Sequence, residues 1–415
     1  MTQTTSRSPS SPAITIGAVL VCGFVAVSLN TRVAFGQVGP LAPLGEFSST
    51  AVTILGVLPP ALMGICAPLT PLARRRWGDD RTLVIASVIL LLGCILRPFG
   101  LGGLFVGTAI AAGATSLINV VIPVVVRTRF PASATGVMMG VYAVCMGMGS
   151  AIVAALMVPV ARATGSWEPA IAVAIVPALL ALLAIAPQWR HHTPVVTGAP
   201  VRHQPHRSAV GWSLLCFFGI QTLLFYTALA WLSTILVAGG TSASTAGIAQ
   251  SLYIIGIGVG GFIAPTLAGR RSEHRVHILG TIGVCAVGLV GIMFTHNTAA
   301  VIASFILGAG FGAGQSLPGV LYAHRGKTPD RIAALSTFAQ TGGYLIAATG
   351  PLLATGLHAA TGSWNASVIA MLVLLVINAV FAQRAGHDGA NNDQGPADQR
   401  ATEVRPVASS STNAS

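Results

Sequence analysis

Charge is scarce in this chain. Only 8% of its 415 residues are Asp, Glu, Lys or Arg, against about 25% in a soluble domain. Lysine is nearly absent, with Lys327 alone. The ten acidic residues, Glu46, Asp79, Asp80, Glu168, Glu273, Asp330, Asp388, Asp393, Asp398 and Glu403, fall in loops, at helix ends or in the tail. No paired carboxylates, Ser-His-Asp grouping or metal-ligand cluster lies inside an apolar run, so the chain does not read as an enzyme, and no metal or cofactor is expected. The net charge of +12 suggests nucleic acid only superficially. The arginines punctuate hydrophobic segments instead of forming a patch, and no aromatic–basic interleaving accompanies them. No CxxC pair exists, and Cys22, Cys66, Cys94, Cys145, Cys216 and Cys285 all lie within apolar runs, which excludes a disulfide framework and a zinc module. The start of the chain lacks the pattern of a cleavable signal peptide: Arg7 stands alone and no small-residue cleavage site closes a short apolar core. A phosphate-binding loop is also missing. Gly326-Lys327-Thr328 resembles the end of one, but Leu321 occupies the place of its leading glycine.

What is abundant is hydrophobic surface. Apolar residues make up 53% and the mean hydropathy is +0.77, values of a polytopic membrane protein. A spanning helix needs ~20 mostly apolar residues. That window places helices near 14–40, 50–72, 82–98, 103–127, 134–160 and 168–186, then 211–237, 244–268, 277–295, 299–323, 331–357 and 364–383. Residues 1–12 and 385–415 are polar and read as disordered tails, and 187–210, rich in Pro, His and Arg, reads as a cytoplasmic linker. The bundles are then 13–186 and 211–384. The pentapeptide Ala-Thr-Gly-Ser-Trp occurs at Ala163–Trp167 and again at Ala360–Trp364, 197 residues later. A half-length period points to a duplicated six-helix unit. The expected fold class is therefore an all-α polytopic membrane protein with twelve transmembrane helices in two pseudo-symmetric halves.

The arginines orient it. With a cytoplasmic N-terminus, 19 of the 22 basic residues fall in inner loops or tails, and the exceptions are Arg32, Arg97 and Arg162. That is the positive-inside pattern, with both termini cytoplasmic and the cell membrane as the site. Arg97, at the end of helix 3, is expected to snorkel to the interface. Glycines at helical i, i+4 spacing, Gly136 with Gly140, Gly256 with Gly260 and Gly310 with Gly314, read as close-packing faces.

Five segments carry a family likeness. They are Leu29-Asn-Thr-Arg32 with Val38-Gly-Pro-Leu41; Ala67-Pro-Leu-Thr-Pro-Leu-Ala-Arg-Arg-Arg76; Asn119-Val-Val-Ile-Pro123 leading to Phe130-Pro131; Gly219-Ile-Gln-Thr-Leu-Leu-Phe-Tyr226 with Trp231-Leu232; and Ala339-Gln-Thr-Gly-Gly-Tyr344 running to Gly350-Pro351. In this combination and order the chain resembles the cyanate permease / 2-nitroimidazole exporter branch of the major facilitator superfamily over about residues 14–383. It departs at Thr31, where the family usually has Leu, and at Ser233, where Pro is usual. The resemblance implies two six-helix bundles, a monomer, and a central cavity lined by helices 1, 4, 7 and 10 that opens alternately to each side.

The polar residues at membrane depth fall on those helices: Asn30 and Arg32 on helix 1, Asn119 on helix 4, Gln221 and Tyr226 on helix 7, and Gln315 on helix 10, with Gln340 on helix 11. Polar groups there normally face the bundle interior, and these seven are the expected solute-binding set. Each carboxamide also has the simpler reading of an interhelical hydrogen bond. Arg32 is the sharpest case, since a central arginine costs roughly 2.5–3.5 kcal/mol on insertion scales. No membrane carboxylate neutralises it, although Glu46 can bend back towards it, and a guanidinium suits an anionic ligand. Arg74, Arg75, Arg76, Asp79 and Asp80 flank the inner turn between helices 2 and 3 and are expected to gate, with Arg270 and Glu273 as candidate partners. The expected activity is secondary active or facilitative transport of a small, anionic or strongly polar solute. Efflux of small drug-like or nitroheterocyclic compounds is the alternative, and a non-transporting membrane solute sensor is the alternative of another class. A coupling ion such as a proton stays open, because no acid sits at membrane depth.

Overall fold

The structure, a computed structural model, describes residues 11–31, 49–190, 204–270, 274–326 and 328–385. Fourteen α-helices and three short 3-10 turns account for nearly all of them, with no strand among the described residues. Several spans are built from two helices. The first half holds α1 (Ser11–Asn30), α2 (Ser49–Cys66), α3 (Leu69–Leu96), α4 (Gly100–Arg129), α5 (Thr135–Thr164), α6 (Trp167–Ala172) and α7 (Ile175–Ile185). The second holds α8 (Ala209–Ala238), α9 (Ala243–Ala268), α10 (Arg275–Phe294), α11 (Asn297–Arg325), α12 (Pro329–Ala348), α13 (Gly350–Thr361) and α14 (Trp364–Ala385). The expected second span appears as α2 plus the first turns of α3, because Pro68 interrupts the helix. Gly78, with φ 79° and ψ 173°, then separates that span from the third. Such a φ is strained for any side chain. Among the described residues, eight helices are long and apolar enough to cross a membrane.

Both copies of the repeated pentapeptide fold alike. Gly165 (φ 70°) ends α5, and Gly362 (φ 67°) ends α13, each in the left-handed conformation that glycine adopts most cheaply. The hydroxyl of Thr164 lies 2.8 Å from the Val160 carbonyl and 3.1 Å from that of Ser166. That of Thr361 lies 2.7 Å from the Leu357 carbonyl and 3.2 Å from that of Ser363. A Trp then opens the next helix in both halves.

Glycine also brings helices together. A Cβ built on Gly260 of α9 would lie 1.8 Å from the Ala309 carbonyl oxygen, and one on Gly308 of α11 would lie 2.0 Å from that of Tyr253. The two backbones therefore touch inside the second half, as small-residue packing in lipid requires. Gly310 is seated against Cys285 and Gly314 against Gln221. Gly136 and Gly140 of α5 instead meet α9 of the other half, where a Cβ on Gly136 would lie 2.2 Å from the Pro265 carbonyl oxygen. Outward faces carry exposed Leu72, Val176, Leu183, Val276 and Val376, an apolar girdle suited to acyl chains rather than water.

Arg97 corrects the expectation that it snorkels. It is 1% exposed, because Gly93 and Gly107 let α3 and α4 close over its stem: a Cβ on Gly107 would lie 2.7 Å from its Cγ. Its Nε and Nη1 are buried without a hydrogen-bond partner. An uncompensated buried ion costs several kcal/mol. Arg97→Met keeps the stem and removes the charge, so the melting temperature of the purified protein is expected to rise by several degrees. A lower melting temperature would show that the guanidinium stabilises the fold.

Candidate functional site

Two of the expected site residues meet between the halves. Asn119 lies ten residues before the end of α4 at Arg129, roughly 15 Å into the bundle. Its Oδ1 accepts from the hydroxyl of Tyr142 on α5. Its Nδ2 lies 3.0 Å from the hydroxyl of Tyr344 on α12 and donates to it. Its backbone carbonyl accepts from Gln340 Nε2 at 3.2 Å, and the same nitrogen lies 2.8 Å from Ser336 Oγ. One residue thus joins α4 and α5 of the first half to α12 of the second. Around it Met63, Ala112, Phe218 and Tyr344 form a small apolar cluster, with Tyr226 packed on its edge. The Tyr344 ring meets Phe218 edge-on at 5.1 Å.

The other candidates are placed as follows. Asn30 is fully buried at the end of α1, and neither Oδ1 nor Nδ2 has a hydrogen-bond partner. Its neighbour Thr31 accepts through its carbonyl from Thr115 on α4 at 3.0 Å, one helical turn from Asn119. Gln315 Nε2 lies 3.1 Å from the hydroxyl of Thr222 on α8. Gln221 is held within the second half, its Oε1 accepting from Asn378 at 3.4 Å and its Nε2 lying 3.6 Å from Cys285 Sγ. Arg32 and its possible counter-ion Glu46 lie outside the described residues. Sequence reasoning missed Tyr142 and Ser336 and did not place Tyr344 in the site, because an aromatic or serine in an apolar helix signals nothing until its neighbours are known.

At the arginine-rich end the halves meet again. Arg74 Nε lies 2.5 Å from Asp79 Oδ1, and its Nη1 lies 3.6 Å from Asp330 at the start of α12. Arg129 pairs with the buried carboxylate of Asp80. Arg75 and Arg76 are exposed, the latter 5.7 Å from the centre of the Trp77 ring. Of the partners expected in the second half, Arg270 is exposed and Glu273 lies outside the described residues; Asp330, which the sequence reading did not single out, makes the contact with Arg74. Met139 also reaches Gly319 across the seam: a Cβ there would lie 2.1 Å from its Cε.

Among the described residues, no three His, Cys, Asp or Glu side chains are grouped to hold a metal ion. The described acids, Asp79, Asp80, Glu168 and Asp330, all lie near helix ends or turns. The centre offers carboxamides and phenols, groups that hydrogen-bond a solute without carrying charge at neutral pH.

A girdle of lipid-facing helices around a polar seam between two similar halves defines a polytopic membrane transporter. A model of the Major Facilitator Superfamily matches residues 14–324 and 212–410. The chain is 32% identical over 378 residues to the uncharacterized transporter YycB of Bacillus subtilis, covering 89% of this chain and 94% of that one. It is 30% identical over 381 residues to the 2-nitroimidazole transporter of Escherichia coli, covering 89% and 96%. A crystal structure of the E. coli fucose:proton symporter superposes with a TM-score of 0.66 at 13% identity, over 90% of this chain and 99% of that one, a likeness of fold alone. The chain belongs to the major facilitator superfamily.

Proposed function

We propose that this protein is a secondary active or facilitative transporter that moves a small polar solute across the cell membrane by alternating access, with both termini cytoplasmic. The observation that carries this reading is the Asn119 node, where side chains from both halves converge on one residue deep in the bundle. A solute that competes for Asn119, Tyr344 and Gln340 replaces bonds between the halves with bonds to itself, so binding and rocking are coupled. Arg74, Asp79 and Asp330 are the inner latch of this scheme, with Asp80 and Arg129 bracing the turn beside it. Their separation accompanies opening to the cytoplasm. The anion clamp expected at Arg32 is not needed for this reading, which rests on uncharged groups and so favours a polar rather than an obligatorily anionic solute.

The second reading, efflux of nitroheterocycles, takes its solute, though not its direction, from the name of the E. coli relative, a 2-nitroimidazole transporter. With only four acids among the described residues, none of them at the node, facilitated flux or exchange needs no built-in proton carrier. The test is counterflow of labelled 2-nitroimidazole and of small anions in proteoliposomes, with and without a pH gradient. Saturable flux is expected, from a protein acting as a monomer. Saturable binding without flux would identify a sensor and end the transport reading.

A further inference from the structure

Gln340 is oriented by a neighbour that can only accept. Its side-chain amide faces the backbone carbonyl of Asn119 at 3.2 Å, so the atom on that side must be the nitrogen; an amide flip would place two acceptors face to face. The contact with Ser336 Oγ at 2.8 Å is made by the same nitrogen and does not alter this. Gln340 Oε1 is consequently a fixed acceptor, and it is buried without any donor. An acceptor left unmade in the interior is costly, and Gln340 stands at the seam between the halves, where a cargo can satisfy it.

We infer that the cargo is recognised as a hydrogen-bond donor: an N–H or O–H group on the solute donates to Gln340 Oε1, at the junction where Asn119 meets Tyr344 and Gln340 of the other half. This rests on the transport reading and sharpens it. Hydrogen-free anions, such as cyanate or nitrate, carry nothing to donate. An azole N–H, a primary amide or a hydroxyl does. The charge of the solute is secondary; its ability to donate is what the site selects.

The discriminating pair of probes is 2-nitroimidazole, with a ring N–H, and 1-methyl-2-nitroimidazole, which differs by the loss of that donor. In proteoliposomes containing the full chain, the N–H compound is expected to show a kcat/KM about tenfold higher, the size of effect that follows from leaving one buried acceptor unpaired. Gln340→Met removes the acceptor and should bring the ratio to near unity. Ser336→Ala, which leaves Oε1 untouched, should preserve it. Equal rates for the two compounds in the unaltered protein would overturn the inference while leaving transport standing. A preference that survives Gln340→Met would also overturn it. Flux of neither compound, with small anions still carried, would overturn the donor requirement and the nitroheterocycle reading together; flux of no solute at all would remove the transport reading.

Discussion

Asn119→Leu is expected to lower solute flux by roughly thirtyfold, the consequence of losing two site hydrogen bonds at about 1 kcal/mol each. Leucine is close to asparagine in size and belongs in an apolar helix, so α4 should keep its packing. What disappears is the carboxamide that accepts from Tyr142 and donates to Tyr344. The backbone carbonyl that holds Gln340 remains, which separates the role of the side chain from that of the helix. Initial rates in proteoliposomes, with helicity and melting temperature as controls, decide the matter. Unchanged flux from a folded Asn119→Leu protein would mean that the node is a structural cross-brace with no part in handling solute.

The second large effect concerns closure instead of binding. Gly136→Trp should abolish flux while leaving each half folded. Any side chain at position 136 collides with the Pro265 carbonyl and with Gly269 of the other half, so the arginine-rich end cannot shut. The halves can relieve that collision by staying apart, an escape that is not open to the α9–α11 pair, whose glycines interlock within one half. Spin labels attached through Ser133→Cys and Arg270→Cys, both exposed positions near this seam, should report a longer distance in the Gly136→Trp protein than in its parent. An unaltered distance together with normal flux would show that the contact between Gly136 and Pro265 is dispensable.

Much of the architecture was legible because membrane helices obey simple constraints. Apolar windows located the spans, and the repeated pentapeptide marked two corners that fold alike. The limits were equally physical. Hydropathy ran the second span on to residue 72, whereas Pro68 interrupts it and Gly78, not a polar loop, provides the next break. Arg97 looked like a snorkelling residue because its helix ends there. Its burial depends on two glycines, Gly93 and Gly107, whose juxtaposition is a tertiary fact. Asn119 and Gln340 stood out as carboxamides in apolar surroundings, but nothing in one strand of sequence paired them. Gln221 carried the same signal and proved to be tied to Cys285 and Asn378 inside the second half. Depth and polarity therefore identify candidates, and the side of the helix on which they fall decides what they do. Asp330 was invisible for a related reason, since an acid at a helix start is ordinary until Arg74 of the other half is seen beside it.

The matched corners at Gly165 and Gly362 set the angle at which Trp167 and Trp364 send the chain back into the bilayer. Two copies of one hairpin bend, matched down to the threonine contacts, give the two halves the same corner. Fluorophores on the exposed residues of the two corners would consequently follow equivalent points of the two halves during a transport cycle. The molecule thus carries its own internal reference for telling a symmetric tilt of both modules from the swing of one against a fixed partner.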